Sequence, residues 1–310
     1  MTQPFKGRIG IIGAGALGAF YGARLARAGH DVHFLLRSDY ETVKQHGLSV
    51  KSFEGDFHIK PPVYDSPESL GTCDLVLVGL KTTSNAALPD LLKHTITPET
   101  LVLTLQNGLG NEDAIAKALG AGSEKQILGG ISFLCSNRTA PGVIHHIDHG
   151  QIRISEFGQP VSDRTHAVAA LFTSAGVQCE VFDNLMRVRW EKLVWNIPFN
   201  GLGVAAQANV EEVLQSPELH DLARNLMLET VASAEKSGTS LDPAIVEKML
   251  KNSESMGPYR SSMQVDFENG NHVEMESIIG EPMRRGRAAG ASVPRMEMLY
   301  ALIRQRDSRL

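Results

Sequence analysis

A glycine-rich turn near the start of the chain most strongly constrains its fold. Gly13-Ala14-Gly15-Ala16-Leu17-Gly18 follows an apolar run at 8–12 and opens an Ala- and Leu-rich run at 17–28, which Gly29 ends. In a strand–turn–helix unit, one glycine makes the turn, one admits a pyrophosphate, and one lets helix and strand pack closely. The helix N-terminus then offers unpaired N–H groups to phosphate. We therefore predict a dinucleotide-binding βαβ unit.

Short apolar runs recur through the first half of the chain and predict a doubly wound α/β domain. After the first, they lie at 32–36, 75–80, 101–105 and 127–131. Their nearly continuous apolar character is typical of parallel strands buried on both faces. The segments 47–64 and 143–157 are also β-rich and carry turn signals at Glu54-Gly55-Asp56 and Asp148-His149-Gly150. We therefore expect a mostly parallel but mixed sheet.

After a last strand-like run at 177–182, the pattern is helical. Ser216-Pro217 and Asp242-Pro243 each combine a cap with an N1 proline, and Pro294 opens a further helix. With 310 residues, the chain exceeds the size that one core usually covers. We predict a Rossmann-type, cofactor-binding domain at 1–182 and an all-helical substrate and catalytic domain at 183–310.

The end of the second predicted strand bears on the choice of dinucleotide. NAD sites usually place Asp or Glu there for the ribose 2′-hydroxyl, but here Arg37 follows Leu36. A guanidinium at that position would pair with a 2′-phosphate, which favours NADP (NADPH when reduced). The alternative is that Arg37 is a solvated surface residue and Asp39 takes the acidic role.

Polar residues elsewhere predict a functional site. Lys81 ends the run 75–80 and Gln106-Asn107-Gly108 ends 101–105, at the sheet edge where α/β folds bind ligands. Later in the chain Lys192, Asn196 and Asn200 recur every four residues among Leu, Val, Trp and Phe, although Pro198 should kink or end their helix. Burying such side chains is costly without a function. The alternative is a surface lysine with two asparagines as caps.

Taken in order, these motifs resemble the ketopantoate reductase family from residue 8 to about 300. The resemblance also includes Gly108-Leu109-Gly110, Ser261-Ser262-Met263-Gln264-Val265-Asp266 and Val273-Glu274-Met275-Glu276. It implies that Lys192 is the general acid and that Glu274 helps to hold the lysine and the substrate hydroxyl. Partial burial would lower the pKa of such a lysine and suit it to donate a proton.

The same resemblance implies the ligand-binding residues and the reaction. Asn107, Asn196, Asn200 and Ser262 would bind the substrate, and Lys81 and Asn107 would lie at the cofactor. The implied reaction is the NADPH-dependent reduction of 2-dehydropantoate to pantoate, toward pantothenate and coenzyme A. One position departs from the pattern, since Tyr259 stands where the family often has asparagine. Reduction of another small 2-keto acid therefore stays open, as does a non-catalytic NADP(H) sensor.

Composition disfavours several other classes of protein. A net charge of −5 gives no basic surplus for nucleic acid, and no apolar run reaches the roughly 18 residues of a membrane span. The first residues pass into a predicted strand, leaving no room for a signal peptide. Cys73, Cys135 and Cys179 are far apart and predict reduced thiols. We expect a cytoplasmic protein without a membrane partner; the oligomeric state stays open, with a homodimer possible.

Two clusters have less specific interpretations. His145, His146 and His149 lie on a β-like run, where imidazoles are more typical of polar surface than of a metal site, so no metal is expected. Arg284-Arg285-Gly286-Arg287 is interpreted as a solvated helix face, or as a basic patch that reaches the phosphates of the cofactor.

Overall fold

The structure, a computed structural model, describes residues 5–310, so the first four residues of the predicted N-terminal domain lie outside the described part. The chain forms two compact units. The first contains the chain up to Gln106 together with Asn111–Leu185, and the second contains Asn107–Gly110 and Met186–Leu310. The loop Asn107–Gly110, which the sequence pattern places in the first domain, thus belongs to the second unit.

The first unit is built on one mixed sheet. Its strands are β1 (Ile9–Ile12), β2 (Val32–Leu35), β3 (Leu48–Ser52), β4 (Phe57–Ile59), β5 (Val63–Tyr64), β6 (Leu75–Val78), β7 (Leu101–Thr104), β8 (Ile127–Ala140), β9 (Val143–Glu156) and β10 (Cys179–Val181). They lie in the order β4-β3-β9-β8-β7-β6-β1-β2-β5, with β10 beside β9. β3 with β4 and β8 with β9 are antiparallel, and the other pairs are parallel. The predicted mostly parallel, mixed sheet is confirmed.

Helices cover both faces of this sheet. They are α1 (Ala16–Arg27), α2 (Tyr40–His46), α3 (Pro67–Leu70), α4 (Leu88–Leu92), α5 (Asn111–Leu119) and α6 (Asp163–Ser174), with short 3₁₀ turns at Thr82–Ala87 and Glu124–Gln126. In β6, Leu75 and Leu77 lie in one buried cluster with residues of α1 and α6. Val76 and Val78 lie in another, with residues of α4 and α5. Because alternate residues of a strand point to opposite faces, this strand is apolar throughout.

The hairpin of β8 and β9 differs from the prediction. The chain reverses at Pro141-Gly142, and β9 continues through Asp148-His149-Gly150, where a turn was expected. His149 (φ 62°) and Gly150 (φ 134°) form a bulge at which the pairing register slips. The predicted turn was wrong because a left-handed residue kinks a long ladder without reversing it. β8 is correspondingly longer than the expected strand at 127–131.

A buried carboxylate ties the end of β9 to α6. Glu156 accepts hydrogen bonds from Ser162 Oγ (2.9 Å), Arg164 Nε (3.0 Å) and Thr165 Oγ1 (2.5 Å). Burial raises the pKa of Glu156, but the hydrogen bonds from Arg164, Thr165 and Ser162 outweigh it and hold the pKa below its usual value. The ionised carboxylate therefore stabilises this corner of the first unit.

The second unit is helical, as predicted. Its helices are α7 (Leu185–Ala205), α8 (Val210–Gln215), α9 (Pro217–Lys236), α10 (Ile245–Ser253), α11 (Ser262–Glu268), α12 (Glu281–Ala288) and α13 (Pro294–Asp307), with a 3₁₀ turn at Glu254–Met256 and a π-helical turn at Glu276–Gly280. Ser216 caps α9 by accepting from Leu219 N, and Pro294 is the first residue of α13. Trp190, Leu226 and Met296, from α7, α9 and α13, belong to one buried core.

Helix α7 continues through Pro198, where a kink or an end was expected. It extends to Ala205, so of the two expected effects of Pro198 an end of the helix is excluded. Proline removes one backbone hydrogen bond, but Ile197, Phe199 and Leu202 around it are all buried in the core of the second unit. Tertiary packing of this kind outweighs local propensity. Lys192, Asn196 and Asn200 therefore lie along one helix.

Candidate functional site

The three fingerprint glycines meet different steric demands after β1. Gly13 has φ +87°, and a Cβ there would lie 2.3 Å from Leu80 N. A Cβ on Gly18 would lie 2.3 Å from the Gly13 carbonyl oxygen, so only glycine lets α1 approach the turn. Gly15 has an ordinary φ of −72°, and among the described residues nothing lies within 4 Å of its missing Cβ. That open space fits a group from outside the chain, such as a pyrophosphate.

This turn lies where the order of the strands reverses. The chain passes from β1 to β2 on one side and later returns to β6 on the other, which places the turn at the usual ligand position of an open α/β sheet. Lys81 is exposed and directly follows Leu80, whose backbone lies against Gly13. Gln106 Nε2 donates to Leu80 O (3.0 Å) and to Asn85 Oδ1 (2.7 Å). The loops after β6 and β7 are thereby tied together beside the turn.

Arg37 and Asp39 have different environments beyond β2. Arg37 is exposed, and its guanidinium forms no ion pair within residues 5–310. Asp39 is only 6% exposed, and its carboxylate accepts from Arg138 Nη1 at 2.6 Å and from Gly142 N at 3.0 Å. Ser38 Oγ is a third donor, at 3.0 Å from Oδ1, and a buried carboxylate that accepts three hydrogen bonds is poorly placed to bind a ribose hydroxyl. The geometry therefore does not favour the alternative in which Asp39 takes the acidic role.

Lys192 and Asn107 are far apart in sequence but meet in the second unit. Lys192 Nζ donates to Asn107 Oδ1 at 2.7 Å, a distance typical of a charge-assisted hydrogen bond. Both side chains are half-buried, which does not fit the alternative of a surface lysine. Because an amide oxygen accepts hydrogen bonds but is not a base, it orients the lysine without taking its proton.

The loop that carries Asn107 is held against the π-helical turn. Leu109 N donates to Ser277 O at 2.8 Å. Gly108 has φ +89°, and a Cβ there would lie 2.2 Å from the same oxygen. Glu274 is buried two residues before the turn, and its backbone oxygen accepts from Ser277 Oγ at 3.3 Å. Ser277 therefore links the backbone at Glu274 to the Asn107 loop, in the kind of turn that is frequent at functional sites.

The other predicted substrate residues lie on α7 and α11. Asn196 and Asn200 are buried, one and two turns beyond the lysine. Within the described chain, Asn200 Oδ1 is a buried oxygen that no hydrogen-bond donor reaches. Farther along α7, a Cβ on Gly203 would lie 3.3 Å from Ser261 Oγ, so the start of α11 is close to this helix. Ser261 caps α11, and Ser262 is exposed at its first position.

Sequence reasoning missed the contacts of Ser277 and Arg138. Ser277 holds the Asn107 loop through its backbone oxygen, which any residue would supply, so its identity gives no signal. Arg138 lies 99 residues from Asp39 in sequence, on the part of β8 that the apolar pattern does not reveal. Gly108 is the available signal, because a glycine directly after a polar strand end indicates positive φ or close approach.

The histidine cluster is better explained by sheet packing. His146 is buried, with Nδ1 2.9 Å from Ser52 Oγ and Nε2 2.7 Å from His149 O, and it packs on Phe20. The interpretation of all three histidines as polar surface was therefore wrong for His146. In residues 5–310, no group of three or more His, Cys, Asp or Glu side chains is arranged to hold a metal ion.

The arginine cluster lies on α12 among acidic partners. Arg284 pairs with Glu276 at 3.0 Å, Arg285 with Glu281 at 2.7 Å, and Arg287 with Glu297 at 3.2 Å. These pairs favour the interpretation as a solvated helix face.

Across the described chain, none of the helices combines the length and apolar character needed to cross a membrane.

The sheet topology, the glycine turn at residues 13–18 and the lysine–asparagine pair are those of a Rossmann-type oxidoreductase. The family model described as Ketopantoate reductase PanE/ApbA matches residues 9–159, and its C-terminal counterpart matches residues 184–307. The chain therefore belongs to the ketopantoate reductase family. Membership of this family supports a nicotinamide cofactor.

Relatives and solved structures agree with this assignment. A 2-dehydropantoate 2-reductase of a Nostoc species is 41% identical over 96% of this chain and 95% of its own length. The crystal structure of 2-dehydropantoate 2-reductase from Geobacter metallireducens is 46% identical, with a TM-score of 0.93, over 96% of this chain and 99% of that one. A D-mandelate dehydrogenase with NADH is similar in fold (TM-score 0.88, 23% identity, 97% of this chain and 99% of that one).

Proposed function

We propose that this protein reduces 2-dehydropantoate to pantoate, with NADPH as the hydride donor. The names of its relatives support the substrate, and the Lys192–Asn107 contact of 2.7 Å carries the chemistry. A half-buried lysine oriented by a neutral amide suits a proton donor at a ketone oxygen.

The residues of the chain act mainly on the oxygen of the substrate ketone. When bound, the nicotinamide supplies a hydride to the carbonyl carbon. The carbonyl oxygen becomes an alkoxide and takes a proton from Lys192 Nζ, whose positive charge also stabilises the developing oxyanion. Asn107 orients Nζ, and Glu274 helps to hold the lysine and the substrate hydroxyl. The neutral amine then regains a proton from water.

The asparagines and a serine bind the rest of the substrate. Asn107, Asn196, Asn200 and Ser262 provide donors for its carboxylate and oxygens that accept from its hydroxyl, without adding charge. Asn200 Oδ1 supports this proposal, because it is buried and no donor among the described residues reaches it. The distal hydroxyl of 2-dehydropantoate would supply the missing donor.

The first unit holds the cofactor in this proposal. The turn at residues 13–18 binds the pyrophosphate through backbone N–H groups, and Lys81 lies at the cofactor. Asn107, which belongs to the second unit, also lies at the cofactor in this proposal. Arg37 binds the 2′-phosphate, which selects NADPH over NADH. Exposure of Arg37 and engagement of Asp39 by other donors support this choice.

A substrate panel combined with one variant tests the function. NADPH oxidation is followed with 2-dehydropantoate, its analogue without the hydroxyl, and pyruvate; the first should give the highest kcat/KM. Lys192→Ala should lower kcat by about 10²–10⁴-fold while NADPH binding stays nearly unchanged. Lys248→Ala, at an exposed position of α10, is the matched control. Turnover of Lys192→Ala within threefold of wild type would remove the lysine from the mechanism, and no turnover on any keto acid by wild type would favour an NADP(H)-binding sensor.

Another small 2-keto acid is the second candidate substrate, because of Tyr259. Its ring centroid lies 6.3 Å from that of Trp195, the residue before Asn196. An aromatic side chain there offers apolar contact where the family often has an amide. A preference for the analogue without the hydroxyl in the same panel would favour this candidate.

The cytoplasmic location and the homodimer stay predictions. Light scattering would check the homodimer.

A further inference from the structure

A second arginine, Arg138 of β8, contacts the two residues that follow Arg37 after β2. Arg138 Nη1 is 2.6 Å from Asp39 Oδ1 and donates to Ser38 Oγ at 3.3 Å. Its side chain is 45% exposed, whereas that of Asp39 is 8% exposed. Since Ser38 directly follows Arg37, the Arg138 guanidinium contacts the same strand-end loop that carries the residue proposed to bind the 2′-phosphate.

The carboxylate of Asp39 is held by donors on both oxygens. Oδ1 accepts from Arg138 and from Ser38 Oγ (3.0 Å), and Oδ2 accepts from Gly142 N (3.0 Å). Arg138 and Gly142 belong to the hairpin of β8 and β9, the first near the end of β8 and the second in its turn. The far end of this long hairpin therefore neutralises the one acidic side chain that is two residues from Arg37.

We propose that Arg138 is a specificity-determining residue that makes this loop selective for a 2′-phosphate. This inference rests on the proposed NADPH preference. A phosphomonoester carries about −1.5 to −2 charges at neutral pH, so it is repelled by an unpaired carboxylate. With Arg138 present, Arg37, Asp39 and Arg138 together keep one net positive charge, and both oxygens of the buried Asp39 carboxylate already accept hydrogen bonds from the protein. Without Arg138, the negative charge of Asp39 cancels the positive charge of Arg37, and the Asp39 carboxylate can accept a hydrogen bond from the 2′-hydroxyl of NAD.

Nucleotide binding to the unliganded full-length protein tests this without any turnover. Calorimetry with adenosine 2′,5′-bisphosphate and with adenosine 5′-monophosphate gives the selectivity for the 2′-phosphate. Arg138→Met should weaken binding of the bisphosphate by about tenfold, whereas the affinity for the monophosphate should be unchanged or higher. Arg153→Met, which removes the 3.2 Å pair with Glu180 on the same sheet, is the matched control and should leave both unchanged.

Asp39→Asn is the reciprocal variant, and it tests the inference even if Arg138→Met does not fold. Asparagine can still accept from Gly142 N but leaves Arg138 unneutralised, so the bisphosphate should bind as tightly as in wild type or more tightly. Adding Asp39→Asn to Arg138→Met should restore most of the lost affinity. Weaker bisphosphate binding by Asp39→Asn, or an unchanged selectivity in Arg138→Met, would overturn the inference. Equal binding of the two nucleotides by wild type would instead refute the NADPH preference itself.

Discussion

Gly108→Ala tests whether the loop contact on the π-helical turn positions the proton donor. The added Cβ would lie 2.2 Å from Ser277 O and 2.4 Å from its carbonyl carbon. Both are backbone atoms, so no side-chain rotation relieves the collision and the loop must move. Asn107 precedes Gly108, so its contact with Lys192 Nζ must lengthen or break.

Gly108→Ala should lower the free energy of unfolding through two effects and should also lower kcat. A non-glycine residue at φ +89° costs about 1–2 kcal/mol. Loss of the hydrogen bond from Leu109 N to Ser277 O adds about 1 kcal/mol, which gives about 2–3 kcal/mol in the free energy of unfolding. A displacement of about 1 Å at a positioning residue lowers kcat by up to about 100-fold.

Gly290→Ala is the matched control for the backbone strain alone. Gly290 has φ +88°, and among the described residues nothing lies within 4 Å of its missing Cβ. This variant should lose about 1–2 kcal/mol by urea unfolding and keep its kcat on the best 2-keto acid. If Gly108→Ala loses no more stability than Gly290→Ala and keeps its kcat, the loop contact does not position Asn107.

Two further predictions concern the first unit. Arg37→Ala should raise KM for NADPH by about 10- to 150-fold and leave KM for NADH nearly unchanged in steady-state assays, because a charge-assisted contact is lost; a wild-type preference for NADH would contradict it. The lowered pKa of Glu156 means that its carboxylate stabilises the fold above the unfolded pKa of about 4.3 and that this stabilisation is lost as pH falls through the lower folded value. In urea unfolding at falling pH, the free energies of unfolding of wild type and of Arg164→Met should therefore converge. A difference between them that stays constant with pH would exclude this role of the Glu156–Arg164 pair.

The features that were predictable from sequence are those whose causes are local. The glycine turn, the buried strands and the capped start of α9 each follow from neighbouring residues. The expected hairpin around Glu54-Gly55-Asp56 is also confirmed, since β3 and β4 pair across it. In each case the residue types that form the element also reveal it.

The features that were not predictable depend on residues distant in sequence. α7 continues through Pro198 because its neighbours are buried in a core built by other helices. His146 is buried because Phe20 and Ser52 lie against it. The lysine at the candidate site was identified from its spacing, but the asparagine loop that contacts it comes from 85 residues earlier in sequence, and no spacing rule reveals that pairing.

The membership of Asn107–Gly110 in the second unit has a consequence for how the protein is made. During synthesis this tetrapeptide leaves the ribosome long before Met186–Leu310, the remainder of its unit. Leu109, which belongs to the core of the second unit, must stay uncovered until that later sequence emerges. The C-terminal half expressed alone would lack that leucine. The core of the second unit is therefore complete only after a segment translated within the first unit has packed into it.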